Sequence, residues 1–516
     1  MGAYQAVTSA VAGLLGIFAP GAALGYARRR AELARACGYE AARLDGPNGR
    51  NLPMDGNINA RNAKDRRIIQ ARARQLVDDN PNVSGALEKI IANVIYTGIK
   101  PQAQITGRDG KLFEAANNAV ERDFAAWARR QQWRALLEMA LRHCWMDGGC
   151  LLHWYPRRDF LAEGLTPLGL ELLDLDSLDQ GVHGVQPNGN RAWYGIEINR
   201  HGEPVAYHVR EEALDGGLDG LGIAPGSNGA LVWSLGESVR LPASNCRMIM
   251  RRKRIGQLLP VSWMHSIITT MHDLNEYQSA ERIAARLAAA FGIFVILPEG
   301  QGGNDLNGKP IPALSGGTDT LDRIISGKEF ISQGRIDALP SGARIEQAKN
   351  ERPGGNYQPF VKNTQRSASS GLNMSCEAFS NDYSDASFSS VRQAVLEERR
   401  GYRMQQSFLL EQVCEPFWEV WCRFRALFLR GDERVPARWQ CAGWSWVDPQ
   451  KDANAAKTRL DMGIVSRRVL CEEQGLDYDE IKAQIAAEAA DGPRAALPPA
   501  RKQGDDNGSD SSAPRA

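Results

Sequence analysis

Four side chains that can bind a metal ion fall within a short stretch of the chain: His143, Cys144, Cys150 and His153. Zinc sites prefer short, paired ligand spacings separated by a turn. Here two glycines precede the run Cys150–Tyr155, whose residue types are typical of a strand. We therefore expect buried thiols and a packed histidine, and we keep a metal-dependent enzyme as an alternative.

A second chemical candidate is Gly303–Lys309, whose spacing matches a phosphate-binding P-loop. Pro310 stands where a Ser or Thr should coordinate magnesium, and proline has no backbone N–H to donate to a phosphate. The preceding apolar run Ile293–Leu297 is a poor substitute for the strand that should lead directly into the loop. HExxH, GxSxG and EF-hand patterns do not occur in the sequence. We expect no metal and no cofactor, and we expect that the protein is not an enzyme.

Composition indicates an ordinary globular chain with room for several cores: 516 residues, 43% hydrophobic and 24% charged. Nine cysteines without a CxxC pair favour free thiols in a reducing compartment. The 62 basic and 61 acidic residues leave a net charge of +1. The chain therefore lacks the basic excess that tight, sequence-independent DNA binding requires.

The elements that would position functional residues centre on the polar stretch Ser380–Ser390. Its hydroxyl, amide and carboxylate side chains compete with the backbone for hydrogen bonds, which favours a loop. Ser390 with Gln393 fits a capping box, and Ser389 is an alternative N-cap. Taken alone, this unit is typical of a surface loop that leads into a core helix.

Apolar residues recur at helical spacing from Val391 to Phe428, which predicts a long helix with a kink near Pro416. Similar spacing predicts helices within 66–152 and over Ile267–Phe291. Between 150 and 250 short apolar runs alternate with turn residues and predict a β-rich part. The predicted strands are Cys150–Tyr155, Leu170–Leu175, Trp193–Ile198, Val205–Val209 and Leu231–Trp233.

The loop closely resembles a segment of the portal proteins of lambda-family tailed phages, where DYS-x-x-(S/N)-(Y/F)-SS-x-R precedes a long helix. This chain has Asp382-Tyr383-Ser384, then Ser387-Phe388-Ser389-Ser390, then Arg392. Four further segments resemble the same family in the same order. They are Ala71–Leu87, Arg254–Gln257, Leu274–Phe294 and Trp446–Arg467.

The resemblance implies an α+β, ring-forming portal subunit with an α/β wing, long stem helices, a small β-containing clip and a helical crown. The expected parts in chain order are an N-terminal segment (1–54), the wing (55–256), a stem helix (257–291), the clip (292–355), a second stem helix (356–378), a channel loop (379–390), a long wing helix with the following segment (391–447), the crown (448–490) and a disordered tail (491–516).

The resemblance also implies a function and partners. We expect a ring, a dodecamer by likeness, at one capsid vertex that nucleates head assembly, conducts double-stranded DNA during packaging and ejection, and joins head to tail. The expected partners are further copies of the chain, the terminase large subunit, major capsid and scaffold proteins, head–tail connector proteins and transiently bound DNA. The expected locations are the virion and, during assembly, the host cytoplasm.

The residues expected to line the channel belong to the polar loop, and its two carboxylates would repel rather than hold DNA phosphates. Two aromatic residues of the loop would anchor it against helices. The loop residues are Asp382, Tyr383, Ser384, Asp385, Ser387, Phe388, Ser389 and Ser390. A basic cluster, Arg251, Arg252, Lys253 and Arg254, is expected to lie at a subunit interface opposite carboxylates, with phosphate contact as the alternative.

Residues 1–27 carry no charged side chain and are long enough to span a bilayer. Several glycines and a proline interrupt this stretch, and no basic region precedes it as in a signal peptide. A membrane-associated structural protein therefore stays open as an alternative function.

Overall fold

The computed structural model describes residues 57–107, 109–210, 238–290, 294–296, 344–346, 355–429 and 431–490. The sequence predictions that lie outside these residues are the N-terminal segment 1–54 with its uncharged stretch 1–27, the strand Leu231–Trp233, most of the clip 292–355 with the P-loop-like segment and Pro310, and the tail 491–516. The chain divides into two compact units, Met1–Asp65 and Arg66–Ala516. The described part of the first unit is 57–65, where the first helix begins.

The first third of the described chain is helical, as the apolar spacing predicted. Asn80 separates the first two helices because its side chain caps the second one, accepting hydrogen bonds from the backbone N–H groups of Asn82 and Val83. The elements are α1 (Ile58–Asp79), α2 (Pro81–Val94), strand β1 (Lys100–Ala103), α3 (Glu114–Gln131) and α4 (Trp133–Met146).

Two antiparallel sheets follow, in the part that the sequence predicted to be β-rich. The elements are β2 (Gly149–Pro156), α5 (Arg158–Ala162), β3 (Leu168–Leu173), β4 (Gly184–Val185), β5 (Arg191–Trp193), β6 (Ile196–Ile198), β7 (Pro204–Arg210), β8 (Ser238–Pro242) and β9 (Cys246–Met250). One sheet has the strand order β3-β2-β9, and the other has the order β4-β5-β6-β7-β8. A turn at Tyr194-Gly195, both with positive φ, divides the single strand predicted over Trp193–Ile198 into β5 and β6.

Long helices come next and place the polar loop. Helix α6 (Ile268–Ala290) matches the helix predicted over Ile267–Phe291. An antiparallel strand pair, β10 (Phe294–Ile296) with β11 (Arg344–Glu346), lies in the segment predicted to form the clip. Helix α7 (Tyr357–Leu372) packs on α6, and the short α8 (Cys376–Ser380) packs on α7 and α2.

The predicted long helix exists but contains a π-helical turn. Helix α9 (Phe388–Leu409) continues through the π-turn Leu410–Cys414 into α10 (Glu415–Leu429). The N–H of Glu415 donates to the carbonyl of Leu410, five residues back, just before Pro416, which has no N–H of its own. The expected kink region is thus a widened turn that keeps the helix continuous.

Aromatic side chains join α10 to α3 and α4. Trp127 stacks on Phe417 with ring centroids 5.0 Å apart, and Phe124 meets Trp421 edge to face at 5.2 Å. Strand β12 (Ala437–Gln440) pairs with β1, so a segment near the C-terminus is joined to the helical part that contains this core. Large rings bury much apolar surface, so this cluster is a main source of stability in the described chain.

The segment predicted as the crown consists of three helices: α11 (Pro449–Asp461), α12 (Arg467–Glu473) and α13 (Tyr478–Ala490). In the described chain, none of their side chains is fully buried. The helices of the described part of the chain do not include one that is both long and apolar enough to cross a membrane.

Candidate functional site

The polar loop is shorter than the sequence predicted, because it spans only 381–387, and it contains a hydrogen-bonded backbone turn. Asn381 ends α8 with a φ of 57°, in the left-handed region that Asn tolerates. Asp382 Oδ1 then accepts hydrogen bonds from the backbone N–H of Ser384 at 3.1 Å and from its hydroxyl at 2.6 Å. These bonds, the side-chain bond first, hold the pKa of Asp382 below its usual value. Asp382 is therefore a structural turn residue that stays ionised at neutral pH.

The N-cap of α9 is Ser387, which corrects the prediction of Ser389 or Ser390. Ser387 Oγ accepts from the N–H of Ser390, and the N–H of Ser387 donates to Ser390 Oγ at 3.1 Å. This reciprocal pair is a capping box with Ser in place of the usual Glu or Gln. Gln393, expected to complete the box, instead donates to Glu397 at 3.1 Å. The helix begins earlier because Ser387 and Ser390 satisfy each other's backbone N–H groups.

Two aromatic residues of the loop do not anchor it in the single chain, so that prediction was wrong. Tyr383 is 50% exposed and Phe388 is 64% exposed. Polar contacts hold the loop instead.

A lysine from α7 holds the loop. Lys362 Nζ lies 2.6 Å from Asp385 Oδ2 and 3.8 Å from Asp382 Oδ2. The hydrogen bond that Lys362 donates to Asp385 raises the pKa of Lys362. Lys362 therefore offsets part of the negative charge of the two carboxylates, a contact that the sequence alone did not indicate.

A second lysine holds the base of the loop. Lys89, on α2, donates to the carbonyl of Ala378 at 2.5 Å and to the side-chain oxygen of Asn381. On the other side, Glu398 of α9 accepts a hydrogen bond from the N–H of Ser375 at 2.8 Å. Hydrogen bonds to α2 and α9 thus hold the segment that leads into the loop. The loop tip lies between two helices, α8 and α9, whose positions are fixed by these contacts.

The basic cluster lies in the segment that follows β9, and all four side chains are exposed. The Arg251 guanidinium lies 5.9 Å from the Trp263 ring centroid. Partial burial, together with Arg251, lowers the pKa of Lys253. Arg251 and Lys253 border a cavity of about 450 Å³ whose walls include Trp145 and Phe408. Trp145 and Phe408 come from α4 and α9, far from the basic run in sequence, and so gave no signal in the run itself.

The four potential metal ligands take separate roles. Burial raises the pKa of the Cys144 and Cys150 thiols, and His153 Nδ1 instead lies 2.7 Å from Glu171. In the described chain, the group of side chains close enough to share a cation is a different one: His143, Asp147 and Asp174.

An arginine already fills that group. The guanidinium of Arg74 lies 2.7 Å from Asp147, 2.8 Å from Asp174 and 2.8 Å from Asp176. Its charge and its hydrogen bonds supply what a bound cation would supply, so this cluster connects α1 to the sheet and is not a metal centre.

The described chain is a mixed helix–sheet protein with an exposed polar loop held between two helices. The model of the lambda family of phage portal proteins matches residues 47–406, about seven-tenths of the chain. The chain therefore belongs to the lambda family of phage portal proteins. Portal proteins of this family are structural components of the phage virion at the junction of head and tail.

One curated relative agrees with this membership. The chain is 26% identical to the probable portal protein of Halomonas phage phiHAP-1 over 463 residues, which is 84% of this chain and 83% of the relative. Among solved structures, it resembles a chain of the neck of a native GTA particle computed with C12 symmetry, with 13% identity, 80% of this chain and 99% of that chain covered, and a TM-score of 0.41. A chain of the neck of an empty GTA particle computed with C6 symmetry gives 13% identity, coverage of 78% and 92%, and a TM-score of 0.44.

Proposed function

We propose that this portal chain forms a dodecameric ring at one capsid vertex, that the loop tip 381–387 faces the central channel, and that double-stranded DNA passes it during terminase-driven packaging and during ejection. The observation that carries the proposal is the family match, which includes the loop together with the helices on both sides of it. The exposed, polar loop tip on a rigid helical base suits a surface past which DNA must slide.

The division of labour follows the chain order. Residues 55–256 form the wing, 257–291 and 356–378 form the two stem helices, and 292–355 form the clip that meets the terminase large subunit. Residues 391–447 return to the wing, and 448–490 form the crown. The capsid and scaffold proteins contact the ring during head assembly, and head–tail connector proteins bind it afterwards.

The basic cluster Arg251–Arg254 is assigned to the contact between neighbouring subunits. Its side chains are exposed in the single chain, and the adjacent cavity has aromatic walls. Cations beside apolar surface fit a protein partner that brings carboxylates better than a sliding DNA backbone.

The first test is the mass and shape of the purified full-length chain, by light scattering and negative-stain electron microscopy on one sample. Rings with a central hole and a mass of about twelve chains support the proposal. Monomers both alone and on co-expression with the scaffold and capsid proteins would contradict it. As a matched pair, Arg252→Glu should reduce ring yield, whereas Lys111→Glu, which reverses an exposed charge in the turn before α3, should not.

A further inference from the structure

Lys362 meets both carboxylates of the loop tip. Its side chain is 36% exposed, and the side chains of Asp385 and Asp382 are 78% and 46% exposed. In the described part of the chain, these two contacts are the ion pairs that Asp382 and Asp385 form. The loop tip is therefore tied to α7 through one ammonium group that water can reach.

The position of this ammonium is set by a rigid element. Helix α7 packs against α6 and α8, while the base of the loop is held separately by Lys89. Tyr383 at the tip is half exposed and adds no apolar anchor. Breaking the contact between Lys362 and Asp385 would thus free the tip without disturbing the helices around it.

An exposed ion pair of this kind exchanges partners easily. Both charges are partly hydrated and screened, so their mutual attraction contributes little net free energy. A DNA phosphate carries the same formal charge as a carboxylate, and a duplex presents about one such charge per 1.7 Å of its axis. The lysine ammonium binds either group because it is a compact charge on a flexible stem.

We propose that Lys362 is a phosphate-binding residue of the channel that Asp385 occupies while no DNA is present. DNA then replaces Asp385 as the partner of Lys362, and the loop tip is released from α7. This inference rests on the proposed placement of the loop in the channel. It differs from simple repulsion of DNA by acidic residues, because it makes the effect of Asp385 depend on Lys362.

The test measures binding of a short, fluorescently labelled DNA duplex to the full-length protein over a range of salt concentrations. Asp385→Asn keeps the shape of the side chain and removes its charge. Lys362→Gln and the double variant complete a double-mutant cycle. Asp461→Asn and Lys457→Gln, both on α11, are the matched controls for the loss of one exposed charge. A photo-cross-linking residue in place of Ala386 reports independently whether the loop touches DNA.

We expect Asp385→Asn to tighten binding and to steepen the salt dependence by about 0.9 in the log–log slope for each phosphate gained. In the Lys362→Gln background this gain should fall by about threefold or more, as for a direct pairwise coupling. If the loop cross-links to DNA and the gain is absent, or is the same in both backgrounds, the role of Lys362 is refuted and the channel placement stands. If the loop does not cross-link, the placement itself is refuted, and the inference with it.

Discussion

Asp385 is the most exposed charge of the loop tip, and its contact with Lys362 determines which charges of the tip are available to a ligand. A carboxylate at this position does two things: it occupies the lysine, and it keeps phosphates at a distance. Both effects come from one side chain that is not needed for the fold, because it packs against nothing in the core.

Asp385→Lys should leave ring formation intact and slow DNA packaging. The new cation repels Lys362, and both ammonium groups then bind phosphates that must move past them. The measurement is the rate at which procapsids carrying the variant portal take up DNA, with ring formation checked by electron microscopy. Asp461→Lys is the control. An unchanged packaging rate would argue against a channel position for residue 385.

The residue types of the loop were sufficient to predict a polar turn before a helix, but not its contacts. Lys362 and Lys89 are far from the loop in sequence, and no local pattern indicates which lysine will cross to it. The N-cap prediction was wrong for a local reason, since Ser387, Ser389 and Ser390 have the same side chain and can each act as a cap. The choice among them depends on the path of the backbone after α8.

At the scale of elements, the join between α4 and β2 is unusually tight. Gly148 has a φ of 90°, and a β-carbon added there would lie 2.3 Å from the backbone of Val261. Gly189, in the hairpin between β4 and β5, has a similar φ of 83° with open space around it. A comparison of the two positions therefore separates two free-energy costs of adding a side chain: that of the backbone conformation and that of close packing.

Gly148→Ala should therefore destabilise the fold far more than Gly189→Ala. Both variants lose about 1 kcal/mol from the unfavourable left-handed conformation. Only the first must also move backbone atoms of a packed segment, which adds roughly 1–3 kcal/mol. Chemical denaturation followed by tryptophan fluorescence gives both values. Equal losses would show that Val261 moves aside without cost.

The five-stranded sheet contains a buried carboxylate, Glu197 of β6, which should make its stability depend on pH. Glu197 accepts hydrogen bonds from Arg240 on β8 and from Asn188 and Asn190 in a neighbouring turn. These bonds, that of Arg240 first, lower the pKa of Glu197 to about 2. A carboxyl whose folded pKa lies below its unfolded value stabilises the fold above the unfolded pKa, and this contribution is lost as the pH falls through the folded pKa.

Glu197→Gln should cost about 2 kcal/mol at pH 7, and the difference from the unchanged protein should shrink from pH 4.5 downward and vanish near pH 2. Glu163→Gln serves as the control, because the pair of Glu163 with Arg130 is exposed on both sides and should contribute under about 1 kcal/mol. Unfolding midpoints measured across this pH range test both statements. A loss that does not change with pH would mean that the ion pair is not its source.

Over the whole molecule, the described helices differ in how many of their side chains are buried. Helix α4 buries six of its residues, whereas α11, α12 and α13 bury none. Several apolar side chains in this part are widely exposed in the single chain, among them Met462 at 70% and Ile464 at 66%. Local stability follows buried apolar contact, so the last three helices should open more readily than the rest.

Hydrogen exchange followed by mass spectrometry should therefore show faster exchange in 449–490 than in 133–146 when the chain is monomeric. On ring formation, protection of 449–490 should rise, because neighbouring copies would then cover its apolar side chains. Equal protection of the two segments in the monomer would show that hydrogen bonding alone, without burial, holds the last helices.

The sequence predicted the succession of helical and β-rich parts because apolar periodicity reflects which face of an element is buried. It could not predict the pairing of β1 with β12, which are short, far apart in the chain and without strong alternation. Nor could it predict Arg74 at the centre of three aspartates, since each of those residues alone is typical of a solvated surface.

The π-turn before Pro416 makes the long helix sensitive to its own residue count. Each residue of an α-helix rotates the following face by 100°. Removing one residue from Leu410–Cys414 would restore regular winding and turn α9 by about that angle relative to the aromatic core that holds α10. Arg392 would then leave Asp452, which it now contacts at 2.7 Å, and the polar loop would point elsewhere. A surface loop tolerates the insertion or deletion of one residue, but in this π-turn the same change would rotate α9 relative to α10. The extra residue of the π-turn therefore determines the direction in which the polar loop points.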